Sequence, residues 1–459
     1  MVPLRDLGNW SGGNTPSKAN AAYWTDGTVP WVSPKDMKVD EITSSEDQIA
    51  ELALADRRVS LVPEGSVLFV TRSGILAHTF PVAITKLAVT INQDLKALTP
   101  KSGISPKYVA HAVRGASRRI LKECSKHGTT VASVDTNALL DFEIPLVNLD
   151  EQHRIVAEIE KHFSRLDEAV AGLKRVKANL KRYKAAILKA AVEGRLLPTE
   201  ADLARHEDRN YETGAQLLQR ILDTRRSQWQ GKGTYKEPAA PDTTELPELP
   251  EGWGWASVDQ LAASGANSIT DGPFGSNLKS EHYQVMGPRV IRLQNIKDGV
   301  FADEYAHITQ DHFERLRKHE IRAGDLVIAS LGENPPRACI IPAHVGPAIV
   351  KADCIRFKPH PSVATEYLNA ALNCQPTRQR VKDVLHGIGR PRLTLGEIRA
   401  IALPVPPETE QHRIVAEVDR LLSIAREAEA EVDTNLKRAQ GLRQGILAAA
   451  FSPGTGVPS

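Results

Sequence analysis

Apolar side chains at Ile159, Phe163, Leu166, Val170, Leu173, Leu180 and Ile187 fall on an alternating four-and-three spacing, and Lys177 and Lys184 fill two further places in the row. Spacing of 3.5 residues held over several heptads predicts a coiled-coil rod and not an ordinary surface helix. No proline interrupts Glu151–Leu197. About 40 helical residues at 1.5 Å each make a rod of roughly 60 Å. The same row recurs at Val418, Leu422, Ala425, Glu429, Val432, Ala439 and Ile446, with Leu436 and Arg443 where the first rod has lysines. A rod cannot bury its seam alone. Each is expected to take the other as partner, with Lys and Glu at seam positions helping to set register. The alternative is two separate helices, each packed on its own domain.

The chain ahead of each rod has a different texture. Ser66–Val70 and Val82–Thr85 are short β-branched runs bounded by Gly and Pro, which predicts strands. Pro106–Lys126 has helical spacing, with Val109, Val113, Ile120 and Leu121 near one face. After the first rod, Ala215, Leu218, Ile221, Leu222 and Trp229 form an amphipathic stripe on a short helix. Lys236–Gly252 is rich in Pro, Glu and Thr and reads as a linker. The expected domains are a mixed domain at 1–149, a rod at 150–198, a connecting helix and linker at 199–252, a second mixed domain at 253–408, and a second rod at 409–452.

The two halves are copies. EQHRIVAE stands at Glu151–Glu158 and, unchanged, 259 residues later at Glu410–Glu417. The same offset pairs Pro145 with Pro404, His127–Gly128 with His386–Gly387, Arg119 with Arg378, Tyr108 with Tyr367, Asp94 with Asp353 and Gly65 with Gly324. A solenoid repeats every 20–50 residues or so. This is one large module used twice, the organisation of a two-armed reader on a common scaffold.

Composition changes the picture only locally. With 41% apolar and 25% charged residues in 459, the chain reads as a soluble globular protein. Its start, MVPLRDLGNW, has no signal-peptide character, and no run approaches the ~20 apolar residues of a membrane span. Cys124, Cys339, Cys354 and Cys374 form no Cys-x-x-Cys pair, which argues against zinc and disulfides and for a reducing cytoplasm. Net charge is only +2, yet basic residues gather at one matching place in each module. Lys101, Lys107, Arg114, Arg118, Arg119, Lys122 and Lys126 face a single acid, Glu123, and Arg378, Arg380, Lys382, Arg390 and Arg392 face Asp383. Recurrence at equivalent positions favours phosphate contact over two solvated helices.

No catalytic constellation accompanies them. Walker A, Gly-x-Ser-x-Gly, His-Glu-x-x-His and Rossmann glycine patterns are absent from the sequence. Asn334–Pro335–Pro336 is followed by Arg337 and not by the aromatic of an amino-methyltransferase, so it reads as a loop between strands. His127 and His386, each before a Gly, fit helix C-caps better than proton-transfer groups. Asp94 and Asp353, one acid per module, make neither a metal site nor an acid–base pair. Asp271–Ser280 (DGPFGSNLKS) offers Ser276, Asn277, Lys279 and backbone N–H groups to phosphate. Arg292, Gln294 and Asn295 in the strand-like Val290–Ile296 are side-chain types able to contact guanine or adenine edges. The matching Trp31–Met37 carries Ser33, Lys35 and Asp36 instead, a pattern that two readers of different sequences would show and that neutral drift on a surface would show too.

Taken together, these residues resemble the specificity subunit of type I restriction–modification systems. The resemblance rests on SGGNTPSK at Ser11–Lys18 with Trp24, VPWVSPKDM at Val29–Met37, PEGWGW at Pro250–Trp255, DGPFGSNLKS, VIRLQNI and the lead-ins IPLVNLDEQHRIVAEIE and LPVPPETEQHRIVAEVD. Asn14 within the usual Gly-Gly-Thr-Pro pattern is a small departure. The resemblance implies an α+β fold with two homologous target-recognition domains and two long helices packed as an intramolecular antiparallel coiled coil with pseudo-two-fold symmetry. It implies a non-catalytic subunit that reads a split site in double-stranded DNA, one half per domain, while the coiled coil sets the spacing. Two methyltransferase subunits and motor–nuclease subunits are the implied partners, and S-adenosylmethionine, Mg and ATP would be held by them and not by this chain. The expected DNA-contacting residues are Lys18, Ser33, Lys35, Arg118, Arg119, Lys126, Ser276, Asn277, Lys279, Arg292, Gln294, Asn295, Arg378, Arg390 and Arg392. A docking surface on the Ala215–Trp229 stripe stands beside the alternative that it packs back on its own rod. A standalone DNA methyltransferase and a coiled-coil adaptor without DNA are the competing classes.

Overall fold

The computed structural model describes residues 1–126, 131–230, 233–265, 267–387 and 389–452, the side chain of Ser276 excepted. The chain divides into two compact units, Met1–Val176 with Glu431–Ser459, and Lys177–Ala430. This division passes through both long helices, whereas the sequence reading sets its boundaries near their ends. The physical reason is that each half-helix buries its seam within its own unit.

The long helices are Leu149–Val192 and Glu408–Ala450, each with acids in its first turn where the helix dipole favours them. Every predicted seam position is buried or half-buried, the charged ones included. In the first unit Leu447 packs with Ile155, Ile159 and Phe163, while Arg443 donates to Asp167 at 3.1 Å and lies over the Phe163 ring. In the second unit Ile187 and Ala191 share a core with Ile414 and Val418, and Lys184 pairs with Glu429. In both units later residues of the second helix meet earlier residues of the first. Within each unit, therefore, the two helices run antiparallel, and the charged seam residues pair across it.

Each unit adds mixed sheets to this frame. In the first, a five-stranded sheet runs Gly8–Gly12, Leu95–Pro100, Val67–Val70, Val82–Thr85, Glu41–Ile42, antiparallel except at its last pair. A three-stranded sheet places Val29–Val32 between Asp47–Ile49 and, in parallel, Thr90–Ile91. The second unit repeats the plan. Leu326–Ala329 lies between Cys354–Phe357 and Arg337–Ile340, and Gln284–Ile291 runs parallel to Ala348–Val350. At the 259-residue offset the register is preserved: Val32 pairs with Ile91, and Ile291 with Val350. Asn334–Pro336 is the loop between two strands, as expected.

Four local expectations change. The Pro106–Lys126 helix breaks into Pro106–Gly115 and Ser117–Glu123, because Gly115 lies against the Leu447 backbone and the buried Ser117 hydroxyl accepts from Phe80 N–H. The strand into Val290–Ile296 ends at Ile291, so Arg292, Gln294 and Asn295 sit in the turn that follows. His386 is no helix cap. It exchanges backbone hydrogen bonds with Arg392, its ring meets Glu397 at 2.6 Å, and Gly387 at φ +92° turns the chain between them. His127 lies outside the described residues. Finally, the helix Gly214–Ser227 buries Leu217 and Ile221 in one core with Trp253, Ile187 and Ala191; of the predicted stripe, Leu218 and Leu222 are half-buried and Ala215 and Trp229 are exposed.

All four cysteines are buried and free. Among the described residues no helix is long and apolar enough to cross a membrane, and no His/Cys/Asp/Glu cluster is placed to hold a metal.

One buried group predicts a pH response. His111, packed edge-on to Phe163, has an Nδ1 without a hydrogen-bond partner among the described residues. Burial, with Arg114 adding repulsion, depresses its pKa to about 4. Between pH 6.5 and 4 the unfolded chain binds a proton that the fold excludes, so stability rises with pH through that window. Chemical denaturation at pH 5 should show a loss of about 2 kcal/mol relative to pH 7 from this group. His111→Phe should remove that part of the slope.

Candidate nucleic-acid interface

The frame that positions the loops is repeated bond for bond. Tyr108 Oη donates to Pro145 O at 2.9 Å, and Tyr367 Oη to Pro404 O at 2.9 Å. Gln152 takes the Ser105 N–H and donates to Val147 O; Gln411 takes the Ala364 N–H and donates to Pro406 O. Both Gln side chains are buried, so the repeated EQHR segment anchors a loop in each module, while His153, Arg154 and His412 are exposed. The glycine in each loop motif has one shared reason. A Cβ on Gly13 would sit 2.0 Å from Asn92 O, and one on Gly272 would sit 2.1 Å from the Lys351 carbonyl carbon. These are equivalent positions, so both motifs are pinned to the same strand end. Asn14 does not disturb this: its Nδ2 donates to Arg58 O, and Trp31 Nε1 donates to its carbonyl.

Two turns follow from this. Asp36 Oδ2 accepts the Ser33 N–H at 2.8 Å, and Asn295 Oδ1 accepts the Arg292 N–H at 2.9 Å. Beside each turn stands the paired acid, with its carbonyl fixed by Thr71 or by Ser330. Asp94 holds Arg72 through Nε at 2.6 Å, and Asp353 holds Arg392 at 2.9 Å. Arg72 bridges Ser133 across an antiparallel pair, and Leu331 bridges Arg392 in the same way. At the 259-residue offset Arg72 corresponds to Leu331 and Ser133 to Arg392. The arginine has changed strand while its acid has stayed. In the first unit Pro34, Arg72, Gly74, Asp94, Val131 and Ser133 line a cleft of about 690 Å³. Val131 corresponds to Arg390, so the matching wall of the second unit carries Arg390 and Arg392.

The expected site residues distribute unevenly on this frame. Lys18, Arg118, Arg119, Asn277, Lys279, Gln294 and Arg390 are exposed. Arg119 lies over Phe142 with Glu123 at 3.4 Å, Lys126 faces Asp135 at 3.4 Å, and Lys279 faces Glu281 at 3.5 Å. Asn277 offers its carbonyl to His312. Lys35 pairs with Asp47 at 2.9 Å and Glu46 at 3.3 Å, and Ser33 is buried against Asp36. Arg292 donates to Tyr305 O, and the Gln294 amide oxygen, turned to satisfy both groups, accepts from both of its Nη atoms. Asn295 is fully buried, and its amide donates to Ala302 O and Glu304 O, so its side chain supports the turn. Arg378 is largely covered, with Nη2 2.7 Å from Asp298 and Nε donating to Pro336 O. Arg392 lies over Phe274, which ties the DGPFGSNLKS loop to the Asp353 pair. Sequence reasoning missed Arg72. Its signal is the cross-strand partner Ser133, which becomes Arg392 at the offset.

The two like α/β units carry polar and basic side chains on loops at equivalent strand ends. Residues 1–177 match the family model described as type I restriction modification DNA specificity domain. The Escherichia coli type I restriction enzyme EcoR124I/EcoR124II specificity subunit is 39% identical over 181 residues, 39% of this chain and 45% of that one. The match thus spans under half of that relative's length. The E. coli EcoDI specificity subunit is 23% identical over 351 residues, 76% of this chain and 70% of the relative. A solved chain, described as bearing on complex assembly and conformational transition of the type I R-M system, aligns over 99% of this chain and 97% of its own with a TM-score of 0.62. At 18% identity that likeness shows the fold. The chain is thus similar to the specificity subunits of type I restriction–modification systems, with residues 1–177 matching their DNA specificity domain.

Proposed function

We propose that this chain is the DNA-reading subunit of a type I complex, each module contacting one half of a bipartite site in double-stranded DNA. The observation that carries the reading is the repeated loop frame with unlike side chains mounted on it. Bonds that fix the loops are the same in both modules, whereas the groups they present differ: Lys35 in one, Arg292 and Gln294 in the other. A scaffold kept and a reading edge changed is what two half-sites of different sequence require. Arg292, Gln294, Lys35, Ser276, Asn277 and Lys279 are proposed contact groups, and Asn295 and Ser33 hold their turns. The chemistry on adenine, with S-adenosylmethionine, belongs to methyltransferase subunits, of which two would match two modules. Motor–nuclease subunits would bring Mg and ATP.

Phosphate contact divides between the modules. Arg119→Ala should weaken binding to all sequences alike and lower the salt slope by about one unit. Arg378→Ala should act first on stability, because its guanidinium joins Asp298, Asn373 and Pro336 within the fold. Binding isotherms from 50 to about 200 mM salt, with thermal melts, separate the two. The purified chain, alone and with its methyltransferase partner, should bind duplex DNA of one bipartite sequence. Binding without sequence preference in the presence of the partner would refute the reading.

A further inference from the structure

Resting on that DNA-binding reading, we infer that Arg72 reads a guanine edge in the half-site of the first module, with Asp94 as its positioning residue, and that Arg392 with Asp353 is its counterpart in the second. Both arginines remain about half exposed, 57% and 47%. Exposed ion pairs add little to stability, about 0–1 kcal/mol in general. Stability alone therefore gives weak reason for the arginine to reappear on the opposite strand at the same cross-strand pair, still bonded to the equivalent acid.

The geometry shows what the pair presents. Asp94 is fully engaged: Oδ1 takes Arg72 Nε at 2.6 Å and Oδ2 takes Asn92 Nδ2 at 3.1 Å. The guanidinium is held by its inner edge. Among the described residues both Nη groups remain without a hydrogen-bond partner, as a planar fork on the wall of the cleft, beside the turn that carries Ser33 and Lys35. A fork of two donors matches a target with two adjacent acceptors. In the major groove that target is guanine, through O6 and N7. A phosphate would also accept two bonds, but it is anionic, and the Asp94 carboxylate beside the guanidinium repels it. A neutral base edge meets no such repulsion. Fixing the fork before DNA arrives also lowers the ordering cost of the contact. In the second module an Arg392 Nη lies 2.9 Å from Asp353 as an ion pair and the guanidinium lies over Phe274, so it presents a different edge and approaches its base at another angle.

The test is selection of bound duplexes from a random library by the full chain with its methyltransferase partner. Arg72→Lys keeps the charge and removes the fork. It should lower guanine preference roughly tenfold to a hundredfold at one base pair of one half-site, leaving the other half-site and the salt slope unchanged. Asp94→Asn should reduce the same preference less. Arg392→Lys should act on the opposite half-site. Arg72→Leu with Ser133→Arg, which copies the second module's arrangement, should restore the Arg–Asp pair and recover guanine preference in part. Unchanged melting temperatures show that the variants fold. A uniform loss of affinity with a reduced salt slope would make Arg72 a phosphate contact and overturn the inference, as would an unaltered selected sequence. Failure of the unsubstituted protein to select any sequence would count against the DNA-reading function itself.

Discussion

Removing one heptad from each long helix should shorten the gap between the half-sites and leave the half-sites unchanged. Because the helices are antiparallel within each unit, the segments to delete are those that face one another. Arg443 meets Asp167, so Val170–Val176 faces approximately Thr434–Gln440. This choice retains both the Arg443–Asp167 and the Lys184–Glu429 pairs. Seven residues are two turns of a coiled coil, so the seam stays in phase. The rod loses about 10 Å. That length corresponds to at most about three base pairs of B-DNA. A methylation survey on sites of varied spacing, with the partner subunit present, measures the preferred gap. A folded variant that keeps its original spacing would show that the helices are a docking platform and not a ruler.

Placing a side chain on Gly272 should abolish half-site recognition by the second module while sparing the first. The added Cβ would fall 2.1 Å from the Lys351 carbonyl carbon and 2.5 Å from Val350 O, and backbone atoms cannot move aside as a side-chain tip can. The loop must shift away from the strand end that carries Asp353, and Phe274, under Arg392, shifts with it. Overpacking of this kind costs about 1–3 kcal/mol of stability. The loss of discrimination should exceed what that cost explains, because loop position sets every contact beyond it. Gly13→Ala is the matching change in the first module and should lose the other half-site. Gly172→Ala is the control, since it lies in a helix with nothing within 4 Å of the new Cβ. It should bind normally and be slightly more stable. The readout is base preference per half-site alongside the thermal melt.

The rods and the duplication were legible because both signals are one-dimensional: a seam repeats every seven residues, and a gapless offset needs no structure to find. The strands at Val67–Val70 and Val82–Thr85 were legible for the same reason. What escaped depends on partners distant in sequence. His386 before a Gly reads as a helix cap, yet Arg392 supplies its hydrogen bonds and makes the pair a hairpin. Asn295 has the chemistry of an adenine reader, but composition cannot reveal that its amide is buried against Ala302 and Glu304. The Ala215–Trp229 stripe was visible as an amphipathic helix, and only the fold shows Leu217 and Ile221 already buried. Arg72 stayed hidden because equivalence at 259 residues pairs it with Leu331. Its true counterpart stands across the strand pair.

The central claim is that one chain reads two separate half-sites, one per module. Selection from random duplex DNA by the intact chain with its methyltransferase partner tests it most directly, repeated with Arg72→Lys and with Arg392→Lys. Two short specified sequences separated by an unspecified gap of fixed length are expected, with each substitution altering only one of the two. A single uninterrupted recognition sequence, or one in which both substitutions alter the same half, would contradict it.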